Sequence, residues 1–164
     1  MKTFRWLLAW LTAVIVTAVA GSIVQTQINI ARIVELGESV SLDERLVTTL
    51  QDLAGFAPVW AIIVAAGLLV ALPVAGALGR KWPSLAIWLQ MLAGFMALVV
   101  ALLIMDLMLP VTAVAAARSW CGVLLLSVPG VFGGWIYFAL YLQRQKGQNF
   151  HQAAQRSSDS QAGS

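Results

Sequence analysis

Eight polar residues carry what chemistry this 164-residue chain offers: Gln25, Gln27, Asn29, Arg32, Gln51, Asp52, Asp106 and Arg118. The amides donate and accept hydrogen bonds, and the two carboxylates can pair with the two guanidiniums. That chemistry is binding and fastening. Nothing in the set has the form of an activated nucleophile or an acid–base dyad. Asp106 stands out because it interrupts an apolar run, where an ionisable side chain is costly and usually finds a partner. Arg118 and Arg32 are its candidate partners. Hydrogen bonds from amides inside spans also simply fasten helices, each contributing ~0.6–2 kcal/mol. The sequence therefore leaves two roles for this layer, a ligand-binding surface and a clasp between helix ends.

The elements that position these residues follow from composition. The chain is 60% hydrophobic and only 10% charged, whereas soluble domains carry about 25% charged residues. Seven tryptophans suit a protein with two membrane interfaces. Apolar runs long enough to span a bilayer at ~20 residues each predict four spans, about 6–30, 59–78, 85–109 and 120–142. The fold class is all-α, an integral membrane four-helix up-down bundle forming one domain over 1–144. Residues 145–164 are rich in Gln, Ser and Gly and read as a disordered cytoplasmic tail. The N-terminal cations and Ala18-Val19-Ala20 resemble a cleavable signal, but the apolar run continues to Ile30. An uncleaved first span is the expectation.

In the first span, Gln25, Asn29 and Arg32 share one helical face, and tracing it backwards gives Gly21, Thr17, Ala13 and Ala9. Small and polar residues in one stripe suit a helix that faces other helices. Between the first two spans, Ser41 and Glu44 form a capping box ahead of Leu46, Val47, Leu50 and Leu53. With Gly55 and Pro58 as a stop, residues 42–54 are expected to be a separate amphipathic helix lying on the periplasmic membrane surface. The second span carries a ridge of Gly67, Ala71, Ala75 and Gly79, the third Ala93, Ala97 and Ala101, and the fourth Gly130 and Gly134. Pro73 and Pro129 sit mid-span and are expected kinks. Each is followed by glycines, a pattern that in two matching halves can mark a transporter's binding site.

Topology follows from charge. Lys2, Arg5, Arg80, Lys81, Arg144, Lys146 and Arg156 fall on one side, and Arg32, Arg45 and Arg118 on the other. Seven against three predicts N-in and C-in, with the first loop in the periplasm of a bacterial inner membrane.

Several functions are excluded. The single cysteine, Cys121, cannot run dithiol chemistry, and the single histidine, His151, lies in the tail. No metal-ligand spacing, phosphate loop or hydrolase motif is present, so no metal and no cofactor is expected. The net charge of +3 follows from membrane topology and does not indicate nucleic acid. Small multidrug transporters match the span count but keep a first-span glutamate, which is missing here. The Gln25-Thr26-Gln27-x-Asn29 string resembles an uncharacterised group of bacterial four-span inner-membrane proteins. The resemblance covers about the first two spans, implies the same four-span fold and brings no activity with it.

The leading functional expectation is a non-enzymatic small subunit or accessory factor of a membrane complex. Its partners would be the bilayer and either another membrane protein or a second copy. The alternative is a small transporter, or a protein binding a lipid or small hydrophobic molecule through the periplasmic polar layer.

Overall fold

The computed structural model describes residues 2–37, 40–108 and 120–142. Among them every regular element is helical: α1 (Lys2–Glu35), α2 (Leu42–Lys81), α3 (Ala86–Met108) and α4 (Trp120–Tyr137), the last running on into a π-turn over Phe138–Leu142. All four helices are long and apolar enough to cross a membrane, which places the chain in a lipid bilayer as a multi-pass protein. Each helix packs on its neighbours in sequence, and α1 closes the ring on α4. Helices α1 and α3 are thus diagonal across the bundle, as are α2 and α4. The predicted tail, and with it His151, lies outside the described residues, as does Arg118.

The core runs down the bundle axis as Ala9, Ala13, Val14 and Ala18 from α1, Trp60, Val64, Leu68 and Leu72 from α2, Leu98 and Leu102 from α3, and Val123 and Leu126 from α4. Small residues set how closely the helices approach. A Cβ on Gly94 would fall on the Gly130 carbonyl, and one on Gly134 on the Gln90 carbonyl, so α3 and α4 meet backbone to backbone. A Cβ on Gly67 would lie 3.3 Å from the Ala97 carbonyl, and one on Gly79 3.1 Å from the Ala86 methyl. The ridge of α2 therefore faces α3, and Ala75 is buried in the same seam. Without van der Waals contact at this range there is little in lipid to hold apolar helices together.

The second span differs from its sequence reading. Residues 42–54 are helical and begin with the expected cap: the Glu44 backbone N–H donates to Ser41 Oγ at 3.3 Å, and the Ser41 N–H donates to Glu44 Oε2 at 2.8 Å. They are not a separate surface helix, however. Helix α2 continues without interruption for 40 residues, about 60 Å at 1.5 Å per residue, against a hydrocarbon thickness of ~30 Å. Gly55 keeps helical geometry, since the only glycine with positive φ among the described residues is Gly37, at 95°, where α1 ends. Pro58 deprives the Ala54 carbonyl of its usual donor, yet a stacked pair within the helix and contacts with α1 on both sides hold it. Phe56 and Trp60 stack across the proline at 5.8 Å and 18°, and Trp60 is fully buried. Ahead of it, side chains on α2 bond to α1, as described below. Pro73 and Pro129 also lie inside continuous helices.

With 34 residues in α1, or about 51 Å, both helices outrun the bilayer. They project from the end opposite Arg80 and Lys81 as an antiparallel hairpin.

Candidate functional site

Where the α1–α2 hairpin leaves the bundle, polar side chains gather on one face of α1. Ala9, Ala13, Thr17, Gly21 and Gln25 are all buried, and Asn29 and Arg32 are half-buried. Repetition at intervals of three and four residues keeps one stripe turned inward over the whole span.

The outer tier of this face is bonded to α2. The Thr26 hydroxyl donates to Asp52 Oδ2 at 2.7 Å, with the Ser22 carbonyl also in reach at 3.0 Å. A hydroxyl has one proton, and the charged acceptor makes the stronger bond. Gln27 Nε2 donates to Thr49 Oγ1 at 3.5 Å, and that hydroxyl donates to the Arg45 carbonyl at 2.7 Å. Asp52 is half-buried in the contact, while Gln27 and Gln51 are exposed.

The inner tier is different. Ser22 Oγ, Gln25 Oε1 and Trp60 Nε1 are buried polar atoms with no hydrogen-bond partner among the described residues. The Trp60 indole nitrogen packs directly on Gly21, where a Cβ would collide with it. Helical side chains lean back over the preceding turn, which brings the Gln25 amide over the same glycine. One donor, one acceptor and one hydroxyl are thus left unpartnered around the contact of Trp60 with the Gly21–Gln25 turn of α1. Each unsatisfied group costs about 1–3 kcal/mol of desolvation. The set is neutral. It suits a small uncharged polar group, and it contains no acid, base or nucleophile.

A second buried amide lies deeper. Gln90 of α3 is fully buried, and its Nε2 donates to the Leu72 carbonyl of α2 at 3.1 Å. The bond fastens the two helices beside Pro73. On the far side of the α4 glycines, the buried Thr17 packs against Gly133. Neither Gln90 Oε1 nor Thr17 Oγ1 has a partner among the described residues.

Asp106 does not join this site. It is exposed at the end of α3, and α3 is diagonal to the helix that carries Gln25 and Asn29. The structure thus bonds Thr26 to Asp52 and Gln27 to Thr49, buries Gln25 one helical position away, and leaves Asp106 and Gln51 exposed. Trp60, one of the seven tryptophans whose number suits two membrane interfaces, is instead fully buried in the α1–α2 contact. Its signal was present: Leu53, Ala57, Trp60, Val64 and Leu68 recur every three or four residues, which is the spacing of a buried face. Ser22, Thr26 and Thr49 were also missed, because hydroxyls within a span are ordinary and carry no distinctive spacing.

Among the described residues no group of three or more His, Cys, Asp or Glu side chains is placed to hold a metal ion. No protein-family model, curated protein or solved structure matches the chain.

Proposed function

We propose that this chain is a non-enzymatic inner-membrane protein of a bacterium, a small subunit or accessory factor that docks a membrane-protein partner through its projecting hairpin. One observation carries the reading. Leu42, Leu46 and Leu50 are 79, 64 and 65% exposed, on the part of α2 that rises beyond bilayer depth. An aligned leucine stripe at the level of water, flanked by Asp43, Glu44 and Arg45, marks a surface that another protein covers. The distribution of cations supports an orientation with Arg5, Arg80 and Lys81 in the cytosol and the hairpin in the periplasm.

The test is purification from native membrane in mild detergent, with wild type beside a Leu46→Ser, Leu50→Ser double variant. The reading expects a discrete complex with the wild type that the variant loses while still folding into the membrane. A monomer in both samples contradicts it.

A second reading, binding of a small uncharged molecule in the periplasmic-side layer, draws support from the unpartnered atoms of Ser22, Gln25 and Trp60. On that reading Gln25→Leu removes ligand binding without weakening the fold. A variant that only shifts thermal stability assigns the layer to fastening.

A further inference from the structure

The ridges that bring α2 and α3 together also leave a furrow on their outer side. It has a volume of about 870 Å³ and runs from Ile62 and Ile104 at one mouth to Leu78 and Leu89 at the other. Its floor consists of small residues, among them Gly67, Ala71 and Ala97, and its rims of longer ones, among them Val70 and Leu92. The furrow follows directly from the sequence: aligned small residues on two touching helices let the backbones meet and leave nothing to fill the space above the seam.

Shape and charge indicate what fills it. Helices α2 and α3 are already in contact along the floor, so the furrow is too shallow to bury a third helix of ~10 Å diameter. At about 30 Å³ for a water-sized group, it holds on the order of thirty such groups, the bulk of the hydrocarbon of one diacyl lipid. Its two mouths differ in charge. Lys81 follows Leu78 by three residues, which keeps it on the furrow side of α2, and its Nζ lies 5.8 Å from the ring of Trp82. Both side chains are exposed. An ammonium beside an amphipathic indole at the end of an apolar channel suits a phosphate at headgroup depth. At the opposite mouth, one residue past Met105, the described residues place the exposed carboxylate of Asp106, which repels an anion.

We infer that the α2–α3 furrow holds an anionic phospholipid from the leaflet on the Lys81 side, with its phosphate against Lys81 and Trp82 and its acyl chains along the small-residue floor. The site is distinct from the projecting hairpin and does not depend on the function proposed for it.

The test uses the full chain reconstituted in vesicles of mixed zwitterionic and anionic phospholipid, then extracted in mild detergent for native mass spectrometry. The wild type is expected to retain the anionic phospholipid well above its share of the vesicle. Removing one surface cation at ~1 kcal/mol lowers that enrichment about fivefold in Lys81→Gln, and Lys81→Glu abolishes it. Val74→Trp, placed at an exposed furrow-lining position, should displace both lipid classes. Arg45→Gln, at the other end of α2, should change nothing. Circular dichroism checks that each variant remains helical. Retention that mirrors the vesicle composition overturns the inference. So does anionic enrichment that survives both Lys81→Glu and Val74→Trp, or a second copy of the chain found in the furrow by cross-linking from position 74.

Discussion

The two halves of α2 present one apolar stripe in two circumstances. Below Phe56 it consists of Ala57, Trp60, Val64, Leu68 and Leu72, all buried. Above Phe56 it continues in the same register as Leu53, Leu50, Leu46 and Leu42, and the last three are exposed. The amino acids hardly change in character. What changes is what stands opposite: α1 and α3 flank the lower half, whereas among the described residues the upper half bonds to another helix through Thr49 and Asp52, both to α1. Periodicity specifies that a face is apolar, and only the neighbouring elements decide whether that face becomes core or docking surface.

If the lower half is true core, the largest effect should come from disturbing the seams that assemble it. Gly94→Leu drives a side chain into the Gly130 backbone and should abolish the folded bundle, read as loss of a monodisperse species after detergent extraction. Leu68→Ala should cost about 2–5 kcal/mol in an SDS-induced unfolding titration. The matched change in the upper half, Leu46→Ala, should stay within about 0.5 kcal/mol. Equal losses at Leu46 and Leu68 would erase the distinction between the halves.

The joint between the halves should respond less. Thr26→Val and Asp52→Ala each remove a hydroxyl–carboxylate bond worth about 1.5–3 kcal/mol when the acceptor is charged. A double-mutant cycle should show that the second change adds little once the first is made. Full additivity would mean that the 2.7 Å contact does not hold the hairpin to the bundle.

At the tip the effect is local and depends on pH. The Ser41 backbone N–H, and after it the Ser41 hydroxyl, hold the Glu44 carboxyl below the ordinary glutamate value of 4.5. A depressed folded-state pKa contributes stability that is present above 4.5 and lost as pH falls through the lower folded value. Amide protection factors in the first turn of α2, taken relative to the intrinsic exchange rate at each pH, should therefore fall at acidic pH in the wild type. Glu44→Gln should flatten that dependence, and Ser41→Ala should cost ~1 kcal/mol of local stability at neutral pH. The smallest effect belongs to Asp106→Asn, which should leave bundle stability within about 0.5 kcal/mol, because Asp106 is exposed and diagonal to the α1 polar face. A large loss would bring Asp106 back into the site.

The four spans were legible in the sequence because their length and apolarity leave few alternatives in a bilayer. So was the inward stripe from Ala9 to Gln25, whose small and polar residues repeat at helical spacing. The continuity of α2 was not. Gly55 and Pro58 are sound local stop signals, and they were overruled by the packing of Trp60 on Gly21 and by the bonds from Asp52 and Thr49 to α1, which are tertiary facts. The position of Asp106 was hidden for a similar reason. Four helix ends share a layer in any bundle, but only the packing order shows that α1 and α3 face each other diagonally. The Gln90 bond to Leu72 joins residues 18 apart, and no pattern within either helix announces it.

The most direct measurement is a nitroxide scan along α2 from position 42 to 70 in proteoliposomes, with Cys121→Ser so that each label is unique. Accessibility to oxygen and to a water-soluble nickel chelate reports depth. The continuous helix predicts that positions 42, 46 and 50 are open to the chelate and shielded from lipid-dissolved oxygen. Exposed positions 62, 66 and 70 should show the reverse, with the crossover near Pro58. If positions 42, 46 and 50 all report one shallow, oxygen-rich depth, residues 42–54 lie flat on the membrane, and the projecting hairpin does not exist.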